Sequence, residues 1–84
     1  MNCMEKQKLV ALLLDSIAGH IGFDTVMREI AKLEGIKSDN LVASACHELR
    51  HFYTDADLRD RDLDYDALMK KRLMQFVDPI RKQA

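Results

Sequence analysis

Breakers and special chemistry are both scarce in this chain of 84 residues. It has one proline, Pro79, and three glycines, at 19, 22 and 35. Its two cysteines, Cys3 and Cys46, are too few for a disulfide framework and read as reduced thiols, Cys46 as a small core residue. No CxxC pair, glycine-rich phosphate loop or Ser/His/Asp arrangement is present. The longest apolar run, Leu9–Leu14, is far too short to span a bilayer. No small-residue cleavage site follows that run, so the expected location is cytoplasmic, away from any membrane. Charge of one sign is also missing. Thirteen basic residues against fourteen acidic ones leave a net charge of −1. That balance argues against generic affinity for nucleic acid or anionic lipid, which needs an excess of Lys and Arg on one face.

What is present is apolar residues at helical spacing. The hydrophobic fraction of 48% with 32% charged residues belongs to a folded chain. No segment alternates as a half-buried strand does. The fold expected is all-α, one small domain over residues 1–84 with about four helices. Bundle-like and orthogonal packing both fit, and dimerisation is open as a way to complete the core.

Helix 1 is expected from about Met4 to Ile21. Leu9, Val10, Leu13, Leu14, Ile17, Ala18 and Ile21 span about half its circumference, and Leu12 lies beyond that arc. Such a wide face touches several neighbours or a second chain. Helix 2 is expected from about Asp24, as N-cap, to Glu34, with Gly35 and Ile36 as a Schellman-type stop. Helix 3 starts at a Ser38 or Asp39 cap and runs to about Tyr53. Its inner face holds Leu41, Val42, Ala45, Cys46, Leu49, Phe52 and Tyr53, and its outer face His47 and His51. Residues 54–66 carry six aspartates, two arginines and two leucines, as an extension of helix 3 or a solvated connection. Helix 4 follows from about Asp64 to Asp78 and ends or kinks before Pro79.

Three local patterns bear on chemistry. His47-Glu48-Leu49-Arg50-His51 resembles the HExxH signature of zincin metalloproteases. Histidines one helical turn apart can both ligate zinc, and the glutamate between them can act as general base on a metal-bound water. The resemblance implies zinc as cofactor, His47 and His51 as ligands and Glu48 as the catalytic base. Asp57 stands where metzincin-like motifs place a third ligand. Thr54 stands where those motifs have a glycine, and the likeness covers at most His47 to Asp57.

The second pattern is a helix-turn-helix. Ile30-Ala31, Gly35-Ile36 and Leu41 match its small, turn and apolar positions, while Glu34 and Ser44 depart from it. On that reading Lys37, Ser38 and Asn40 would meet DNA. Third, the aspartates at 55, 57, 60, 62, 64 and 66 invite a calcium loop, but neither frame supplies the required glycine and terminal glutamate. They read better as a docking surface for a basic partner.

The leading expectation is a non-enzymatic interaction or regulatory protein of bacterial or phage accessory type, without cofactor. It would act by binding another macromolecule, a protein before any nucleic acid, with self-association open. Leu12, Asp55, Asp57, Asp60 and Asp62 are the expected contact residues. A zinc site or zinc-dependent hydrolase and a helix-turn-helix DNA-binding regulator are the alternatives.

Overall fold

A computed structural model describes residues 3–33 and 39–83, and among these every regular element is helical. The order is α1 Cys3–Ala18, α2 Phe23–Lys32, α3 Asn40–Thr54, α4 Ala56–Arg61, α5 Leu63–Met74 and α6 Val77–Gln83. The all-α class stands. The four expected helices become six because the acidic segment and the chain's end each fold into a short helix of their own. No helix among the described residues is long and apolar enough to cross a membrane.

Side-chain chemistry sets most of the boundaries. Helix α1 stops earlier than expected, at Ala18, because Gly19 takes a left-handed φ of +76°. That conformation lets the His20 amide donate to the Asp15 carbonyl at 2.9 Å and close the helix end. A residue with a Cβ would be strained there. Helix α2 begins with Gly22 as its N-cap rather than Asp24, which instead places its carboxylate in the positive first turn. The stop expected at Gly35 and Ile36 lies outside the described residues. Asp39 does cap α3, accepting from the Leu41 amide at 3.0 Å and the Val42 amide at 3.2 Å. Asp62 ends α4 and caps α5, accepting from the Tyr65 amide at 3.1 Å. The last long helix breaks at Gln75 and Phe76, not at Asp78. Pro79 then sits in the first turn of α6, where no intrahelical amide bond is lost.

One apolar core joins these elements. Leu9 and Leu13 of α1, Val26 and Ile30 of α2, and Val42, Ala45, Cys46, Leu49 and Phe52 of α3 are buried in it. Met69 and Leu73 of α5 and Val77 and Ile80 of α6 complete it. Helix α1 packs on α5 and α6, and α3 packs on α5. Burial pushes the Cys46 thiol above its ordinary range, an effect the nearby Arg50 charge partly offsets. The thiol is thus held protonated and inert.

Polar contacts then pin the acidic turn. The Arg59 guanidinium lies 3.5 Å from the centre of the Phe52 ring. Its Nε donates to the Phe52 carbonyl at 2.9 Å and its Nη1 to Asp66 at 3.0 Å. Asp66 also meets Lys70 at 2.8 Å, one turn along α5. Lys70 and then Arg59 hold the Asp66 carboxyl below its ordinary value of 3.8. A lowered folded-state value means this stabilisation is complete above the ordinary value and is lost as the pH falls through the lower one. Asp66→Asn should therefore flatten the acid limb of a stability profile below about pH 4, read by urea melts at stepped pH.

Candidate functional site

Helix α3 divides the sites as its spacing predicts, with apolar residues inward and His47 and His51 exposed outward. The two imidazoles stand one turn apart, with Nε2 atoms 3.1 Å from each other. A hydrogen bond at that contact needs one ring to donate and the other to accept, the roles depending on the tautomers. Their centroids are 4.5 Å apart and their planes cross at 71°.

Beside them lies a cavity of about 170 Å³ lined by His47, Glu48, His51, Asp55, Tyr65, Met69 and Arg72. Glu48 reaches across to α5, where its Oε1 accepts from Arg72 Nη2 at 2.5 Å. Its other oxygen, Oε2, is buried and has no hydrogen-bond partner among the described residues. Asp55 faces Tyr65, whose hydroxyl donates to its Oδ2 at 2.6 Å. That bond, with some burial and the Asp55 charge, raises the Tyr65 phenol above its ordinary range. Ionising the phenol would remove the donor and set two negative charges together.

The expected ligand set is only partly assembled. His47 and His51 converge. Asp57 is exposed on α4 and lines none of this cavity; Asp55, two residues earlier, lines it instead. No group of three or more His, Cys, Asp or Glu residues is placed to hold a metal ion among the described residues. Glu48, expected as a base, is committed through one oxygen to Arg72.

The second site is an apolar groove of about 330 Å³ between α1 and α2. Ala11, Leu12, Ile21 and Leu33 give it apolar walls, and Lys8, Thr25 and Glu29 contribute its polar groups. Leu12, placed outside the main apolar arc of α1 by its spacing, is 7% exposed and belongs to this groove. Of the acidic contact candidates, Asp57, Asp60 and Asp62 are exposed, while Asp55 is half-buried against Tyr65. Asp62 also serves as the α5 cap.

For the DNA reading, Lys37 and Ser38 lie outside the described residues, and Asn40 is exposed at the start of α3. The Asp39 carboxylate occupies the first free amides of that helix, where a phosphate oxygen would otherwise bind. Asp39 also lies 3.9 Å from Lys6.

Several partnerships have no local spacing to announce them. Tyr53, read only as a core residue, places its hydroxyl 2.9 Å from both the Ile21 carbonyl and the buried Ser16 hydroxyl. With one proton to give, it donates to the carbonyl and accepts from Ser16. Arg72 of α5 likewise reaches Glu48 of α3. Family models, curated proteins and solved structures yield no match to the chain.

Proposed function

We propose that the chain is a non-enzymatic protein-binding module whose docking surface is the groove between α1 and α2. The observation supporting this reading is the groove itself, a concavity of about 330 Å³ walled by Ala11, Leu12, Ile21 and Leu33. Apolar surface open to water favours an occupant. A volume near 300 Å³ is at the small end of ordinary ligand pockets and suits one or two apolar anchor side chains of a partner helix. Lys8 and Glu29, of opposite charge, give such a helix a preferred direction. The exposed carboxylates of Asp57, Asp60 and Asp62 offer a second, acidic contact to a basic partner segment.

Ala11 and Thr25 line the groove yet are exposed on their helices, so both can be changed without entering the core. Ala11→Arg should fill the groove and leave unfolding stability within about 0.5 kcal/mol. With a photocrosslinking side chain at position 25, the otherwise native chain is expected to capture a discrete protein in its own cell. Adding Ala11→Arg should abolish that capture. Capture that survives the arginine, or none at all, would remove the groove as the docking surface.

A further inference from the structure

We infer that His47 and His51 form a binding site for one borderline divalent transition-metal ion, zinc being the representative, separate from the α1–α2 groove. Their Nε2 atoms are 3.1 Å apart. An ion about 2.0–2.1 Å from each would subtend an angle of roughly 95–100° at the metal. That angle lies between the square and tetrahedral values, so Zn²⁺, Ni²⁺ or Cu²⁺ can be held with little movement of the backbone. The rings now face each other across one donor–acceptor contact. Both side chains are exposed, which leaves room for the rotation that would aim both lone pairs at one ion. On binding, the donor ring changes tautomer, its proton moving from Nε2 to its own Nδ1, so that both Nε2 lone pairs meet the ion.

Two further features favour occupation. Helix α3 fixes the one-turn spacing, so the backbone has already lost the entropy of bringing the ligands together. Glu48 lines the same cavity, and its buried Oε2 lacks a hydrogen-bond donor among the described residues. A water held on the ion has the donor that this oxygen is missing, and the cavity of about 170 Å³ has room for it. Asp55 does not enter the ligand set, because Tyr65 holds its Oδ2. The protein supplies two imidazole nitrogens, and water supplies the remaining positions. A site so built binds a metal exchangeably rather than as a structural clamp.

The test uses the full chain without a histidine tag, titrated with zinc chloride by calorimetry. Long-range nitrogen–proton NMR spectra of the histidine side chains locate the bound ion. About one equivalent of zinc should bind, with shifts confined to His47 and His51. His47→Gln and His51→Gln should each weaken binding by about tenfold or more, and the double variant should bind no zinc at that site. His20→Gln is the control and should bind as the native chain does. Both ligands are exposed, so melting temperatures without metal should match the native one and report that the variants fold. Undiminished binding in the double variant would overturn the site, as would native protein showing no binding up to about 1 mM zinc.

Discussion

Leu49→Ala is expected to destabilise the fold by about 2–5 kcal/mol, the range for removing a buried leucine side chain and leaving a partly collapsed cavity. Leu49 is fully buried, and it lies on the helix turn that carries His47 and His51 on its opposite face. A domain of this length holds roughly 4–12 kcal/mol of stability in total. The substitution thus removes a large share and should bring the chain close to its unfolding threshold at body temperature. Urea melts followed by circular dichroism measure the change. A loss below about 1 kcal/mol would mean that α3 is not seated in the core as described. Leu49→Met, which nearly conserves volume, should cost less than about 1.5 kcal/mol and separates packing from any effect on helix propensity.

Arg59→Ala should cost about 2–4 kcal/mol, more than any other substitution among the charged residues. Three contacts are lost together: the stacking on Phe52, the bond to the Phe52 carbonyl and the pair with Asp66. Because the Arg59 side chain is only 14% exposed, water recovers little of what is lost. Arg59→Lys should restore less than half. A lysine ammonium is a point charge and cannot stack on the ring while donating separately to the carbonyl and the carboxylate. A double-mutant cycle with Asp66→Asn isolates the ion pair. The pair should account for the smaller part of the total, since Asp66 keeps Lys70 when Arg59 is removed. Full recovery by lysine would show that charge alone fastens α4.

How much of this was legible in the sequence differs from residue to residue. The inner face of α3 could be read because helical spacing places Val42, Ala45, Leu49 and Phe52 on one side whatever they pack against. The same rule placed His47 and His51 together outside, and the Asp39 cap followed from a short-range bond between a side chain and its own helix. The break at Gln75 and Phe76 could not be read from Pro79. Proline forbids a helix from continuing through it, but where the preceding helix lets go is decided by how Phe76, Val77 and Ile80 seat in the core. The motif spacing points to Asp57 as a third ligand because it assumes one path for the chain leaving the helix. Here Asp55 is the hinge between α3 and α4, and it turns toward the Tyr65 hydroxyl.

Sequence by itself determined what depends on neighbours within about one helical turn: the helical class, the inner and outer faces of α3, the cap at Asp39 and the one-turn spacing of the histidine pair. Tertiary structure alone decided which distant groups meet. Arg72 closes on Glu48 across 24 positions, Tyr53 on Ser16 across 37, and α2 stands off α1 far enough to leave a groove. Those outcomes depend on how whole helices cross. That geometry is set by the summed packing of many side chains, and no single spacing along the chain encodes it.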